Sequence, residues 1–414
     1  MLIHRAPVVV PVSAPPIRDG AVAVEDGRIV AVGPIGDMPD APVREHDGVL
    51  TPGLVNAHTH LCYSAYADHY HNGKSFFDWI QDFARRNPSM SAEDWHASAR
   101  LGVDQSLRHG VTGIADVVTP PDALPALLAS GMAGTLYFEA CFIDDVRWTE
   151  QRDAFRDLLD RAEPGVDPTL GVSPHTLYTL GRAVGKDLAA MARERGLRLH
   201  PHLAETLHED SYVRTGSGPF ADLSRSLDAC FELLDDANGC SPAAEMDAWG
   251  LLGADSHVAH GVHLDERDRA TLRAHGTHVA LCARSNARLE AGEPPVAAHR
   301  SERNPVAVGT DSLASAPDLD VAAELPVLRD IARRQGDNGD GLDAWLFHAA
   351  TRGGALAMGR NDFGVLAPGA RADLAVFAVD AGRHPYTALT TGAAGTCVTT
   401  ILAGHEVERE NAHK

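Results

Sequence analysis

The feature that most constrains the fold is an alternation along the middle of the chain. Short apolar runs end in polar or histidine-bearing tips, and segments with helical periodicity lie between most of them. The runs are Leu54–His60, Gly113–Val118, Thr135–Phe142, Leu170–His175, Leu197–Glu205, His257–His260, His278–Leu281 and Val306–Asp311. Eight strand-and-helix units over about 300 residues predict an α/β protein with a (β/α)8 TIM barrel. A doubly wound open sheet is disfavoured because no GxGxxG follows the first run.

Both ends of the chain also carry short strand-like segments. Near the N-terminus, two alternating apolar runs flank Asp26-Gly27, and Asp-Gly is a strong hairpin signal. Near the C-terminus, residues 372–379 and 398–402 are strand-like. Neither group buries a sheet alone, so we expect them to pair in one small β domain built from both termini. The predicted division is residues 1–50 and 361–414 for this domain and residues 51–360 for the barrel.

The chain of 414 residues is acidic, with 36 Lys and Arg, 57 Asp and Glu, and a formal net charge of −21. That charge disfavours a nucleic-acid polymer or an anionic membrane as a partner. No apolar run reaches the length of about 18 residues that a membrane span needs, and no signal peptide is recognised. We therefore expect a cytoplasmic protein. The six scattered cysteines form no CxxC pair, so no disulfide framework is predicted.

The first predicted barrel strand ends in His58 and His60, with one residue between them. Residues i and i+2 of a strand point the same way, so both imidazoles can share one metal ion. An HxH pair alone is weak evidence in a chain with 22 histidines, as a second pair, His200 and His202, illustrates. The first pair is favoured by its position, because it ends an apolar run and buried imidazoles need partners.

Other predicted strands end in further candidate ligands and bases. His202 can supply a third ligand at the end of the fifth strand, although His200 can also face inward. Glu205 lies just past His202 and suits a general base, the alternative being a structural carboxylate at a helix start. His260 and Asp311 close the sixth and eighth runs. Any one histidine here has a structural alternative, a hydrogen-bonded core residue.

Taken together, these side chains make a nitrogen and oxygen ligand set suited to Zn²⁺ or Fe²⁺. Such a metal lowers the pKa of bound water to about 7. Glu205 can then relay the proton from that water to the atom that is attacked or expelled. His175, after the fourth strand, is a further candidate site residue.

These segments resemble the motifs of the amidohydrolase superfamily, in the same order along the chain. The matching segments are Pro52–His60, His202–Glu205, Ala259–Gly261, Ala280–Asn286 and Gly309–Ser312. The resemblance covers essentially the whole chain and implies that the terminal β domain, split between the two ends, is a β-sandwich. It lies in the chlorohydrolase and nucleobase or nucleoside deaminase branch. It implies that one divalent metal is bound by His58, His60, His202 and Asp311. It also implies a proton shuttle at Glu205, an orienting role for His260 and proton acceptance by Asp311.

The scarcity of lysine bears on the number of metal ions. Binuclear members of the superfamily bridge two metals with a carboxylated lysine at the end of the fourth strand. Here that strand ends at His175, and the nearest lysine, Lys186, lies in the following helix. The resemblance therefore implies one divalent ion per subunit, Zn²⁺ in preference to Fe²⁺. His175 matches a substrate-contacting position of the adenosine-type deaminases.

The resemblance also implies a reaction, the hydrolytic deamination of a 6-aminopurine nucleoside to its 6-oxo form with release of ammonia. Within the branch, the chain resembles the aminodeoxyfutalosine deaminases of menaquinone biosynthesis, whose substrate is an adenine nucleoside with a benzoate tail. The alternatives are deaminases of S-adenosylhomocysteine, methylthioadenosine or adenosine, hydrolases of another C–N or C–Cl bond, and a non-enzymatic barrel. A homodimer is expected from the family alone.

Candidate substrate-binding residues lie outside the motifs. Asp78 follows the first strand and can meet a ribose, although its segment also fits a helix with core aromatics. Arg147 and Arg214 lie near the proposed mouth, where either can grip a carboxylate; the alternative is an ordinary surface arginine. Residues 206–253 are too long for a usual connection, so we expect a loop and helices over the active face. The alternative is a surface insertion with no role.

Overall fold

The computed structural model describes residues 1–68, 76–161 and 167–408. The strands in these ranges are β1 (Leu2–Val9), β2 (Ile17–Glu25), β3 (Arg28–Pro34), β4 (Val43–Glu45), β5 (Val49–Pro52), β6 (Leu54–Thr59), β7 (Val111–Val118), β8 (Ala133–Ala140), β9 (Thr169–Pro174), β10 (Arg198–Leu199), β11 (His202–Leu203), β12 (His257–His260), β13 (His278–Leu281), β14 (Val306–Val308), β15 (Leu374–Phe377), β16 (Cys397–Leu402) and β17 (His405–Glu406).

The α-helices in the same ranges are α1 (Phe76–Arg86), α2 (Ala92–Arg108), α3 (Leu124–Leu128), α4 (Asp145–Leu159), α5 (Arg182–Glu194), α6 (Leu207–Thr215), α7 (Pro219–Ser226), α8 (Pro242–Ala248), α9 (Glu266–His275), α10 (Ala283–Arg288), α11 (Val296–Glu302), α12 (Val321–Arg334), α13 (Leu342–His348), α14 (Gly354–Ala357) and α15 (Pro385–Gly392). Within these three ranges, no helix combines the length and hydropathy that a bilayer span requires.

Strands β6 to β14 form the barrel as two series of parallel strands, in the orders β10-β9-β8-β7-β6 and β11-β12-β13-β14. The two series amount to eight barrel strands, because the fifth is divided into β10 and β11 around Pro201, which has no amide hydrogen for a ladder. They meet again where the amides of Thr310 and Asp311 donate to the carbonyl of His58. Each predicted run contains a strand, and the (β/α)8 barrel is confirmed.

Both termini build a second sheet of eight strands, with the order β17-β16-β15-β5-β1-β2-β3 and β4 paired to β1. The two ends of the chain meet where β5 pairs antiparallel with β15, Pro52 opposite Leu374. The β2–β3 hairpin turns at Asp26 and Gly27, with φ of 50° and 73°, which Asp-Gly tolerates. A β domain built from both termini is therefore confirmed, while the exact boundaries after residues 50 and 360 stay predictions.

Residues 206–253 contain the three helices α6, α7 and α8. The ring of Phe220 in α7 stacks on Tyr178, which follows the fourth barrel strand, with centroids 3.8 Å apart and planes 5° from parallel. Since Tyr178 lies just past the carboxyl end of β9, this contact places α7 beside the carboxyl ends of the barrel strands. Helices are therefore present in this segment as expected, and α7 lies at that face.

Candidate active site

The four predicted metal ligands converge at the carboxyl ends of the barrel strands. Nε2 of His58 and Nε2 of His60 lie 3.7 and 3.6 Å from Oδ1 of Asp311. Nε2 of His202 lies 3.4 Å from Nε2 of His60. Ligand atoms about 2.1 Å from a tetrahedral zinc ion are separated from one another by roughly 3.4 Å. The spacing of these buried atoms therefore fits one divalent cation at their centre.

A chain of hydrogen bonds determines which nitrogen of His58 faces this centre. Nδ1 of His200 lies 2.9 Å from the carbonyl oxygen of His257, and a carbonyl only accepts, so this nitrogen carries the hydrogen. Burial lowers the pKa of His200 to about 3, so its ring is neutral and its Nε2 accepts from Nδ1 of His58 at 2.8 Å. Nε2 of His58 then keeps a bare lone pair, and it has no hydrogen-bond partner.

This arrangement separates the two histidines that the sequence left as alternatives. Both ring nitrogens of His200 are occupied by hydrogen bonds, whereas Nε2 of His202 faces the ligand centre. His200 thus acts as an orienting partner of a ligand, as carbonyls and carboxylates do behind many metal-binding histidines. His202 is the candidate ligand.

Asp311 is held so that one oxygen faces the histidines. Its Oδ2 accepts hydrogen bonds from the hydroxyls of Ser285 and Ser315, at 2.7 and 2.6 Å. Its Oδ1 accepts from the amide of Ser312 at 2.7 Å and also points toward His58 and His60. Asp311 has a φ of 63°, a strained conformation for a residue with a side chain and one that clusters at functional sites.

Glu205 lies on the side of the site that borders the sixth barrel strand. Its Oε1 is 3.6 Å from Nδ1 of His260, whose ring also contacts Oδ1 of Asn286 at 3.0 Å. Glu209 in α6 accepts the amides of Ala204 and Glu205, at 2.9 and 3.0 Å, and so anchors the turn that carries Glu205. Burial raises the pKa of Glu205 to about 7, which suits proton transfer near neutral pH.

These groups form the floor of a cavity of about 350 Å³, a size typical of small-molecule sites. Its upper walls are mostly aromatic and apolar, and its polar groups collect near the ligand centre. Its lining residues are His60, Tyr63, Phe76, Trp79, Ile80, Asn87, Pro88, Thr119, Glu139, Cys141, Phe142, His175, Tyr178, His202, Glu205, His260, Asp311 and Ser312.

The predicted substrate-binding residues fall in different places. His175 lines the cavity, with Nδ1 3.0 Å from the hydroxyl of Thr179. Asp78 is exposed on α1, and Arg147 pairs with Asp144 at 2.7 Å; neither is part of the cavity lining. Arg214 likewise pairs within its own helix, with Asp210. Contacts of Asp78 and Arg147 with a substrate therefore stay predictions.

Glu139 is an acidic cavity residue that the sequence reasoning missed. It lies near the end of β8, where its Oε2 accepts from the hydroxyl of Thr119 at 2.6 Å. Its Oε1 lies 3.8 Å from Nε2 of His175 and has no hydrogen-bond partner. A sequence signal existed, because a lone acidic residue interrupts the apolar run 135–142 in register with the inward-facing Tyr137.

Comparison with known proteins places this site in a family. The model of the amidohydrolase family matches residues 49–407. The chain belongs to the amidohydrolase family. The matched residues include every candidate ligand and proton-transfer residue described above. The candidate site of this amidohydrolase therefore lies inside the part of the chain that matches the family.

Several relatives of this amidohydrolase are named as deaminases. The chain is 31% identical over 374 residues to a 5-methylthioadenosine/S-adenosylhomocysteine deaminase of Haloarcula marismortui, covering 88% of this chain and 81% of the relative. It is 32% identical over 357 residues to an aminodeoxyfutalosine deaminase of Deinococcus radiodurans, covering 82% of this chain and 81% of that relative. The crystal structure of a Xanthomonas campestris adenosine deaminase with bound zinc is 25% identical in sequence to this chain, and the TM-score is 0.79. The superposition covers 98% of this chain and 92% of the deaminase.

Proposed function

We propose that this amidohydrolase is a metal-dependent aminohydrolase that converts a 6-aminopurine nucleoside to its 6-oxo form and releases ammonia. The observation that carries the proposal is the convergence of Nε2 of His58, Nε2 of His60, Nε2 of His202 and Oδ1 of Asp311, with Glu205 beside them. The naming of relatives as purine nucleoside deaminases supports hydrolysis of a C–N bond in a cyclic amidine.

We assign one divalent cation, zinc in preference to iron, to His58, His60, His202 and Asp311. The bare lone pair of His58 and the spacing of the four ligand atoms fit such an ion. When bound, the ion supplies Lewis acidity that makes hydroxide available at neutral pH. The zinc reported in the Xanthomonas campestris structure supports this choice of metal.

The side chains around the cation divide the proton transfers between them. Asp311 accepts a proton from the attacking water, and the two serine hydroxyls bonded to its Oδ2 keep its Oδ1 facing the histidines. Glu205 delivers a proton to N1 of the purine as oxygen adds to C6, and its pKa of about 7 lets it both take and give that proton. His260 orients the attacking oxygen. The amine at C6 then takes the proton held by Asp311 and leaves as ammonia, and the hydroxyl at C6 returns its proton to Glu205 as the 6-oxo group forms.

For the specific substrate we propose 6-aminodeoxyfutalosine, an intermediate of menaquinone biosynthesis, with S-adenosylhomocysteine, methylthioadenosine and adenosine as alternatives. The Deinococcus radiodurans relative supports the first choice and the Haloarcula marismortui relative supports the alternatives, at nearly equal identity. The apolar cavity wall formed by Phe76, Trp79 and Tyr178 suits an uncharged part of any of these 5′ substituents. A cytoplasmic location and a homodimer stay predictions.

The test is a deamination screen on purified, zinc-loaded protein with each of the four nucleosides. Conversion of adenine to hypoxanthine is followed by ultraviolet absorbance, ammonia is assayed separately, and metal per chain is counted. We expect one zinc per chain and the highest kcat/KM for one of the four. Absence of ammonia with all four nucleosides, together with chloride release from a chlorotriazine, would overturn the proposal in favour of a different amidohydrolase reaction.

A further inference from the structure

The barrel has a seam where the strand that carries His58 meets the strand that leads to Asp311. Among the residues that the structure describes, β6 and β14 share no ladder of backbone hydrogen bonds, although both are barrel strands. The backbone bonds seen across this seam are those from the amides of Thr310 and Asp311 to the carbonyl of His58. Three of the four candidate ligands, His58, His60 and Asp311, lie on the two segments that meet here, so closure of the seam sets their separation.

The side chain of Asn56 spans this seam. Its Oδ1 accepts a hydrogen bond from the amide of Thr310 at 3.0 Å, and its Nδ2 donates to the hydroxyl of Thr310 at 2.8 Å. A backbone N–H can only donate, so the oxygen of Asn56 must face it, and this determines the orientation of the side chain. Both residues are fully buried, and the two bonds together replace one backbone pair of the missing ladder.

Two hydroxyl groups extend this link to the backbone of Asp311. Because the hydroxyl of Thr310 accepts from Asn56, its own hydrogen is available for the carbonyl of Asp311, to which it donates at 3.0 Å. The hydroxyl of Thr59 donates to the same carbonyl at 3.1 Å. Asp311 has a φ of 63°, and a strained backbone conformation persists only where its surroundings hold it. The Asn56 link is therefore part of what holds Asp311 in place.

Gly309 shows how closely the two strands approach each other. A Cβ atom added there would lie 2.8 Å from Cβ of His58 and 2.9 Å from its amide nitrogen and its carbonyl oxygen, closer than nonbonded atoms come. Asn56 lies two residues before His58, so both side chains point to the same, inward face of β6. A shift of either strand would change the separations of 3.6 and 3.7 Å between Oδ1 of Asp311 and the Nε2 atoms of His60 and His58.

We propose that Asn56 is a positioning residue for the candidate metal site, because it fixes the segment that leads to Asp311 against the strand that carries His58. This inference rests on the metal site of the proposed function and adds to it a residue that is not part of the cavity lining. The link consists of an amide and a hydroxyl, which do not titrate near neutral pH, so its effect requires no particular protonation state. Loss of the link should keep all four ligands and loosen their geometry.

The experiment measures metal binding to Asn56→Leu, in which a side chain of similar size lacks the hydrogen bonds. We expect zinc affinity to fall by about 10- to 100-fold, the range for groups that support metal ligands from outside the coordination sphere. Competition with a chromophoric chelator measures this affinity. The visible absorption of the cobalt(II)-loaded protein reports coordination geometry, and it should change in shape or intensity. Thr310→Ser keeps the bonding hydroxyl and should bind zinc nearly as wild type does, whereas Thr310→Val should lose part of the affinity.

A matched control is Asn304→Leu, the same substitution at a buried asparagine just before the amino end of β14. The side chain of Asn304 bonds to Arg273 and Glu302, at the opposite end of the strand from Asp311. Asn304→Leu should lower the melting temperature of the metal-free protein. It should leave zinc affinity and the cobalt spectrum unchanged.

Wild-type zinc affinity and an unaltered cobalt spectrum in Asn56→Leu would overturn the inference, and so would equal losses in Asn304→Leu. If Asn56→Leu does not fold, unchanged affinity and spectrum in Thr310→Val overturn it instead. Failure of the wild type to bind either zinc or cobalt would contradict the proposed metal site on which the inference rests.

Discussion

The carbonyl oxygen of His257 sets the direction of a two-histidine hydrogen-bond chain that ends at the candidate metal site. Because that oxygen only accepts, His200 donates to it and accepts from His58, and His58 presents Nε2 to the ligand centre. The roles of His58 and His200 therefore follow from which ring nitrogen carries the hydrogen, and not from proximity alone.

Replacing His200 should weaken metal binding although it is not a ligand. In His200→Phe the ring volume remains, but nothing accepts the Nδ1 hydrogen of His58, and loss of such an orienting partner typically costs about 10- to 100-fold in metal affinity. Competition with a chromophoric chelator measures the change. His4→Phe is the control, since His4 is a buried histidine bonded to His46 in the terminal sheet, and its affinity should equal wild type. An unaltered affinity in His200→Phe would contradict the proposed orienting role.

Glu205→Gln should separate metal binding from turnover. The amide cannot transfer a proton, so kcat should fall by about 10²- to 10⁴-fold, the usual contribution of a positioned acid or base. Zinc content should stay at the wild-type level because Glu205 is not among the candidate ligands. Steady-state kinetics with elemental analysis checks both, and a variant with near-normal kcat would exclude the shuttle role.

Much of the candidate site was predictable from residue positions alone. His58, His60, His202, Glu205, His260 and Asp311 follow from strand parity and from the rule that barrel sites lie at carboxyl ends of strands. The partner role of His200 and the presence of Glu139 were not predicted. The role of His200 depends on contacts between strands, and these are set by the stagger of the closed barrel, which no local pattern in the sequence encodes. Glu139 was missed although its interruption of the apolar run 135–142 was a local signal.

At the scale of elements, periodicity identified all eight barrel strands but not the break in the fifth. The interruption leaves His200 and Pro201 between β10 and β11, while His202 begins β11, and the two histidines have different partners. The helices of residues 206–253 were expected only in outline, because short helices are stabilised by the surface they pack on. For α7 that surface includes the ring of Tyr178 at the cavity wall.

Truncating Phe220 should show whether α7 supports the cavity. Phe220 is 1% exposed and stacks on Tyr178, so Phe220→Ala should cost about 3–5 kcal/mol of stability and raise KM as that wall loosens. Calorimetry and steady-state kinetics measure the two effects. Leu207→Ala, in the same insertion but 64% exposed, is the control and should change neither. A normal KM in Phe220→Ala would indicate that the insertion acts on stability alone.

At the scale of the whole molecule, the terminal sheet and the metal site share one continuous segment. Strand β5 pairs with β15 in the terminal sheet, and after the single residue Gly53 the chain continues as β6, which carries His58. The amide of Gly53 donates to the carbonyl of Asp373 at 2.9 Å, while the next amide, that of Leu54, bonds in the barrel to Gly110. The junction therefore connects the position of a candidate ligand to the packing of both termini.

Gly53→Ala tests that connection. An added Cβ would overlap the side chain of Thr112, so the variant should lose about 1–3 kcal/mol of stability, as overpacked cores do, and should bind less zinc because β6 must shift. The melting temperature and the zinc content of the purified protein report the two effects. Gly36→Ala is the control, since nothing lies within 4 Å of its added Cβ. Adding Thr112→Ala removes the two nearest overlapping atoms and should restore part of the lost stability and part of the lost zinc binding. If Gly53→Ala lowers stability but leaves zinc content unchanged, the junction does not position β6, the strand that carries His58.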